Sequence, residues 1–148
     1  MTERQIEIRE GSINEAVRVS RNIPEFIDPH DQNIYEQRLA GRDHLILIAY
    51  DQKTLVGFKV GYDKFQDGSF YSWMGGIIPD YRRIGIAQQL ADYQENYARE
   101  RGYQSVVFKT RNRHKNMLLF GLNNSFIITS IEARQDPMEN RIIMRKTL

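Results

Sequence analysis

The chain has 148 residues, of which 41% are hydrophobic and 27% charged, a composition typical of one globular domain spanning residues 1–148. The net charge of +2 is too small to indicate a nucleic-acid partner, and no run of about 18 apolar residues indicates a membrane span. Cysteine is absent, which excludes disulfides, cysteine-ligated metals and a cysteine nucleophile. The charged amino terminus lacks the apolar core of a signal peptide, and we expect a cytoplasmic protein.

Hydrophobic periodicity and turn signals predict seven strands and four helices. The predicted strands cover residues 5–9, 45–50, 55–62, 70–78, 105–110, 126–131 and 141–146. The first predicted helix is short and begins after Ser12, its N-cap. The other three predicted helices cover residues 33–40, 84–101 and 115–122. This order of elements indicates an α/β (α+β) fold with a mixed sheet, in which strands 45–50 and 55–62 form a hairpin.

The middle of the chain contains a predicted β–α–β crossover. Strand 70–78 is apolar on both faces, so we expect it to be central in the sheet, and Pro79 ends it. Helix 84–101 then connects it to strand 105–110, which makes the two strands parallel. The expected buried stripe of this helix consists of Ala87, Leu90, Ala91, Tyr97 and Ala98.

The junction between strand 70–78 and this helix predicts an anion site. A helix start offers unpaired N–H groups and a partial positive charge, and ligands favour the carboxyl ends of parallel strands. Gly85 and Ala87 lack bulk, and Arg82 and Arg83 can fork onto phosphate oxygens. Neither of the two common phosphate-loop motifs, G-x-G-x-x-G and G-x-x-x-x-G-K-[ST], is present. A diphosphate cradle and a plain polar turn both fit these residues.

The segment Arg82-x-x-Gly85-x-Ala87 resembles motif A, [QR]-x-x-G-x-[GA], of the GCN5-related N-acetyltransferase (GNAT) family. The preceding residues 77–81, IIPDY, are similar to the family's entry to that loop, and residues 110–128 resemble its second block. The resemblance implies a mostly antiparallel sheet of six to seven strands with about four helices. A splayed parallel strand pair would form the cofactor cleft.

The resemblance also implies acetyl-CoA as cosubstrate, with its pyrophosphate on the loop and its pantetheine arm along residues 75–78. A glycine inside a strand marks a bulge or close approach, or else tight packing against the core. Asn112 resembles the family's cofactor-contacting asparagine, and Asn116 is a second candidate or a polar helix-start residue. The implied cofactor-binding residues are Gly76, Ile77, Ile78, Arg82, Arg83, Ile84, Gly85, Ile86, Ala87, Asn112 and Asn116.

Acetyl transfer to an amine requires a base, because deprotonating an amine of pKa about 10.4 at pH 7 costs about 4.6 kcal/mol. Tyr71 could join a proton relay or be a packed core residue, and Glu25 could be the base or a solvated loop acid. Family members usually have a tyrosine five residues before the phenylalanine of a "GF" pair. Here Gly121 takes that place, and Ser125 replaces the glycine before Phe126.

These residues predict an acetyl-CoA-dependent N-acetyltransferase acting directly on an amine of a small molecule, peptide or protein. The missing tyrosine keeps open an acyl-CoA-binding sensor or interaction module. The basic cluster around 109–115 fits a solvated edge better than a nucleic-acid surface, because no aromatic residues interleave it. The three histidines have no metal-ligand spacing, so no metal site is expected. The acceptor stays undetermined, and a monomer or a homodimer is compatible with the sequence.

Overall fold

The computed structural model describes residues 3–148. Its strands are β1 (Ile6–Glu10), β2 (His44–Asp51), β3 (Thr54–Tyr62), β4 (Ser69–Ile77), β5 (Ser105–Arg111), β6 (Ile127–Glu132) and β7 (Arg141–Thr147). Its helices are α1 (Ile13–Ser20), α2 (Gln32–Leu39), α3 (Ile86–Glu100) and α4 (Lys115–Asn123). Short 3₁₀ turns, Pro79–Tyr81 and Pro137–Glu139, follow β4 and precede β7.

The seven strands form one sheet in the order β1-β2-β3-β4-β5-β7-β6. Among the residues described, β4 and β5 form a parallel pair and all other neighbours are antiparallel. The mixed, mostly antiparallel sheet and the β2–β3 hairpin are therefore as the sequence predicted. Two strands that are neighbours and parallel must be joined by a long crossover, and α3 provides this connection between β4 and β5.

Helices cover the sheet on both faces. One hydrophobic core lies between the sheet and α1 and α2, where Val17, Tyr35 and Leu39 are buried. The other lies beneath α3 and α4, where Leu90 of α3 and Phe108 of β5 are buried. Both faces of the central strands are thus covered, which explains their near-continuous apolar sequences.

The structure corrects the predicted start and buried face of α3. The helix begins at Ile86 rather than at residue 84, because Gly85 precedes it in the left-handed conformation with φ of 92°. Ile86 is buried, whereas Ala87 is exposed, so the predicted place of Ala87 in the stripe is wrong. The stripe instead runs through Ile86, Leu90, Ala91, Gln94, Glu95 and Ala98.

Candidate functional site

The parallel strands β4 and β5 part soon after they meet. They pair only where Ser69–Tyr71 lies beside Ser105–Val107, although β4 runs on to Ile77 and β5 to Arg111. Over these remaining residues β4 stays paired with β3, and β5 stays paired with β7. The sheet therefore opens into a gap whose apex is at Tyr71 and Val107. A row of unpaired backbone groups borders it.

The hydrogen bonds at the end of β4 show which backbone groups face this gap. The N–H of Ile78 donates to the carbonyl of Val56 at 2.9 Å, so it is directed at β3. Alternate residues of a strand point the other way, and the carbonyl of Ile77 accepts the Nε–H of Arg82 at 2.9 Å. Of the predicted segment 75–78, Gly75 and Ile77 therefore present backbone groups to the gap, whereas Gly76 and Ile78 face β3.

The two glycines of β4 have different surroundings. A Cβ on Gly76 would lie 2.7 Å from Cδ1 of Ile23, so a larger residue here would require the Ile23 side chain, in the segment after α1, to move. Gly75 is exposed, and a Cβ there would lie 3.3 Å from the carbonyl oxygen of Phe58. Gly76 is thus closely packed, while Gly75 leaves the edge of the gap uncovered.

The loop that follows β4 leads into the amino terminus of α3. Arg83 and Gly85 both have left-handed backbone conformations, with φ of 64° and 92°. Space around Gly85 is open, since a Cβ there would meet no described atom within 4 Å. The first intrahelical bond runs from the N–H of Gln89 to the carbonyl of Gly85, so the preceding N–H groups of Ile86, Ala87 and Gln88 have no helical acceptor. This geometry suits an anion.

Arg82 and Glu25 form an ion pair that joins two loops beside the gap. The guanidinium contacts both carboxylate oxygens, at 2.8 and 2.9 Å, while its Nε–H holds the carbonyl of Ile77. The hydrogen bond from Arg82 lowers the pKa of the Glu25 carboxyl, which makes the paired carboxylate a weak base. Arg82, a predicted cofactor-binding residue, and Glu25, a predicted catalytic residue, therefore both lie beside the gap, where they bind each other.

Tyr71 lies at the apex of the gap, on the face covered by α1 and α2. It is buried, and its ring packs edge-on against Tyr62 and Phe65, each with ring centroids 5.8 Å away. Burial raises the pKa of its hydroxyl above the ordinary value of 10.0. At neutral pH this hydroxyl therefore carries its proton and can donate a hydrogen bond.

The predicted asparagines lie at the far side of the gap, after β5. The side-chain amide of Asn112 donates to the carbonyl of Pro137 at 3.1 Å, which fastens the end of β5 to the turn before β7. Asn116 lies exposed in the first turn of α4. Near them, Glu139 forms ion pairs with Arg111, Arg113 and Arg141, so much of the basic cluster is balanced by an acid.

Gly121 is buried in α4 rather than facing the gap. A Cβ there would lie 2.8 Å from Cζ of Phe108 and 2.9 Å from Sδ of Met144. These contacts leave no room for a side chain, so the family's usual tyrosine could not be accommodated without repacking. The sequence indicated that the tyrosine was missing, and the structure shows that core side chains fill its place.

The sequence analysis assigned no role in the site to three titratable residues around the gap. His114 is the N-cap residue of α4, and its pKa is lowered by partial burial and by the charges of Arg111 and Arg113. Arg38 and Lys64 lie on the face covered by α1 and α2, over aromatic rings. No motif identifies them, because α2, the β3–β4 loop and β4 come together only in the folded sheet.

Residues 3–148 lack two other kinds of feature. In that part of the chain, no group of three or more His, Cys, Asp or Glu residues could hold a metal ion. None of the helices there is long and apolar enough to cross a membrane.

Comparison with known proteins places this geometry in a family. Residues 12–120 match the model of the acetyltransferase (GNAT) family. The ribosomal-protein-S18-alanine N-acetyltransferase of Escherichia coli superposes with a TM-score of 0.82 at 15% identity, covering 97% of this chain and 94% of that chain. The PaiA N-acetyltransferase of Thermoplasma acidophilum, in complex with coenzyme A, has a TM-score of 0.74 at 19% identity. The superposition covers 97% of this chain and 99% of that chain.

A GNAT family acetyltransferase from Elizabethkingia anophelis with acetyl-CoA bound has a TM-score of 0.76 at 17% identity, covering 97% of this chain and 98% of that chain. A search among curated proteins found no sequence match. At these identities the similar structures show a shared fold, whereas the family follows from the match to the family model over most of the chain.

Proposed function

The chain belongs to the GNAT family of acetyltransferases, and from that premise we propose that it moves an acetyl group from acetyl-CoA directly to an amine. Acetyl-CoA is the cosubstrate that this family membership assigns, as the sequence predicted. One observation carries the proposal: the gap between β4 and β5 leads from Tyr71 at its apex to an open helix start at its mouth.

The residues of the chain suit the parts of such a cosubstrate. The N–H groups of residues 86–88 and the side chain of Arg83 would hold the pyrophosphate. The gap-facing backbone groups of Gly75 and the N–H of Ile77 would pair with the amides of an extended arm, as an added strand does, while the Ile77 carbonyl stays bound to Arg82. Arg82, held by Glu25 and by the Ile77 carbonyl, would keep the loop next to the strand.

We assign the chemical step to the apex of the gap. Bound acetyl-CoA supplies a thioester whose carbonyl carbon the amine nitrogen attacks. An N–H of the gap-facing backbone can stabilise the developing oxyanion, and Tyr71 can donate its proton to the departing sulfur. Glu25 can accept the proton of the amine only if its ion pair with Arg82 opens. The absence of cysteine excludes a cysteine acyl-enzyme, which favours direct transfer from acetyl-CoA to the amine.

A matched pair of glycine variants tests cofactor binding. Gly85 and Gly102 lie at opposite ends of α3 with φ of 92° and 85°, and both have open space around Cα. A glutamate at either place costs similar backbone strain, about 1 kcal/mol. Gly85→Glu also places a carboxylate in the proposed anion site, so calorimetry should show acetyl-CoA binding weakened at least about tenfold. Gly102→Glu should bind like the wild type; equal losses in both variants would contradict the assignment.

A thiol-release assay over a panel of amines distinguishes the enzyme from the second candidate, an acyl-CoA-binding module without catalysis. The buried Gly121, in place of the family's tyrosine, favours that second candidate. Turnover with any amine supports the enzyme, and acetyl-CoA binding without turnover supports the module. Activity that survives both Tyr71→Phe and Glu25→Gln unchanged would refute both catalytic assignments.

A further inference from the structure

Aromatic rings line the face of the sheet next to the apex of the gap. Trp73 of β4 lies 5.0 Å from Tyr35 and 5.6 Å from His30, measured between ring centroids, and its ring is stacked on that of His30. Tyr62 bridges Trp73 and Tyr71, at 5.7 and 5.8 Å. We call these five side chains the aromatic floor. It lies on the side of the sheet covered by α1 and α2.

A β-bulge places Trp73 in this position. Val60 pairs with Met74 and Gly61 pairs with Ser72, so Trp73 is an extra residue in β4. The bulge comes two residues after Tyr71, where β4 parts from β5. Bulges bend strands and redirect side chains next to functional sites. The aromatic floor therefore begins where the gap begins, and Trp73 is only partly buried there.

Two cationic side chains lie over rings of the aromatic floor. The guanidinium carbon of Arg38 lies 5.1 Å from the ring centroid of Trp73, and Nζ of Lys64 lies 4.7 Å from that of Tyr71. Within residues 3–148, neither cation has a carboxylate within 4.0 Å, although eight other ion pairs form there. We call Arg38 and Lys64 the cationic rim.

The charges around the rim do not neutralise it. Lys109 of β5 points to the same face and forms an ion pair with Glu132 at 3.2 Å, and Arg145 donates to the hydroxyl of Ser105 at 2.7 Å. Burial lowers the pKa of Lys64, and the positive charges of Arg38 and Lys109 lower it further, against a weaker opposing effect of Glu132. The rim therefore repels a further cation and attracts an anion.

We propose that the acceptor is a small amine that also carries a carboxylate, which the cationic rim binds while its body lies on the aromatic floor. This inference rests on the proposed acetyltransferase function and names the substrate class of that site. Arg38 can present the edge of its guanidinium to both oxygens of a carboxylate. A polyamine would bring further positive charge to Arg38 and Lys64 and is disfavoured.

The chain's one tryptophan, Trp73, makes binding measurable without turnover. The probes are phenylalanine and phenylalaninamide, which share an amine and a ring and differ in the carboxylate, with spermidine as the polyamine. We expect millimolar phenylalanine to change the tryptophan fluorescence of the acetyl-CoA complex. The amide should bind about tenfold more weakly or worse, because a charge-assisted contact is lost.

Four variants and one assay complete the test. In the thiol-release assay, kcat/KM for phenylalanine should exceed that for the amide at least about tenfold, and spermidine should be poorer still. Arg38→Gln and Lys64→Gln should each reduce this ratio, and the double variant should bring it near one. Lys53→Gln, in the exposed turn between β2 and β3, is the matched control and should leave the ratio unchanged.

The outcomes separate this inference from the proposed function. Transfer to spermidine or phenylalaninamide as good as to phenylalanine would overturn the carboxylate assignment and leave the acetyltransferase standing. A tryptophan signal that does not respond to phenylalanine would overturn it as well. A response to phenylalanine that depends on Arg38 and Lys64, with no transfer to any amine, would support the anion site and contradict the catalytic function.

Discussion

At the scale of single residues, Tyr71 is the candidate that geometry supports best. It is the last residue of β4 that pairs with β5, so its side chain is fixed at the point where the gap opens. Burial raises the pKa of its hydroxyl, which makes the group a proton donor rather than a base at neutral pH. Tyr71 can thus act as the proton donor, the role of the family's usual tyrosine, whose position is taken here by Gly121.

Replacing this hydroxyl should affect catalysis rather than cofactor binding. Tyr71→Phe keeps the ring and its packing, and general acids contribute roughly 10²- to 10⁴-fold to rates. We therefore expect kcat in the thiol-release assay to fall at least about tenfold while calorimetry gives an unchanged Kd for acetyl-CoA. Tyr93→Phe is the control, because Tyr93 is exposed on α3 and is not part of the aromatic floor. Equal kcat values in both variants would argue against Tyr71 as the donor.

The sequence indicates the loop of the candidate site, but not the contacts that its residues make in the fold. The motif around Arg82 and Gly85 could be read because its residues are adjacent, and the left-handed φ of Gly85 agrees with the choice of glycine. The ion pair between Arg82 and Glu25 joins residues 57 positions apart. Nothing in the local sequence predicts such a contact, because it exists only after the sheet has brought both loops to the gap.

At the scale of elements, hydrophobic periodicity together with turn and capping signals predicts each α-helix and strand of residues 3–148 to within a few residues at each end. It failed where a backbone conformation or a bulge shifts the pattern. The left-handed Gly85 delays the start of α3, and the extra residue Trp73 in β4 lets Trp73 and Met74 both pack toward α1 and α2. Such shifts depend on tertiary contacts, and a single sequence does not indicate them.

The packing of α4 leads to a stability prediction. Gly121→Ala gains helix propensity, up to about 1 kcal/mol, but its Cβ meets Phe108 and Met144 at 2.8 and 2.9 Å. Overpacking typically costs about 1–3 kcal/mol, so the variant should be less stable in urea denaturation. Asn123→Ala, exposed in the same helix, should be neutral or stabilising. A second change, Phe108→Leu, should lessen the loss; strict additivity of the two changes would contradict the proposed clash.

At the scale of the whole molecule, a partly buried group of charges connects α3 with both halves of the divided sheet. Glu95 of α3 is buried and contacts Nζ of Lys146, on β7, at 2.7 Å. Lys59 of β3 faces the same helix, and its pKa is lowered from 10.5 to about 8 by burial, against the favourable charge of Glu95. Because β3 and β7 lie on opposite sides of the gap, this group helps hold the two half-sheets under one helix.

The lowered pKa of Lys59 predicts how stability depends on pH. Between about pH 8 and 10 the unfolded chain holds this proton more tightly than the folded one, so Lys59 makes unfolding less favourable as the pH rises, by up to about 1.4 kcal/mol per unit. Lys59→Met removes this slope, so urea denaturation should find its advantage over wild type largest near pH 7 and smaller near pH 10. The raised pKa values of Tyr97 and Tyr103 oppose the trend only above that range. Lys53→Met replaces an exposed lysine and is the control, so its free energy of unfolding should depend on pH as that of the wild type does. The same pH dependence in Lys59→Met would show that Lys59 is not desolvated.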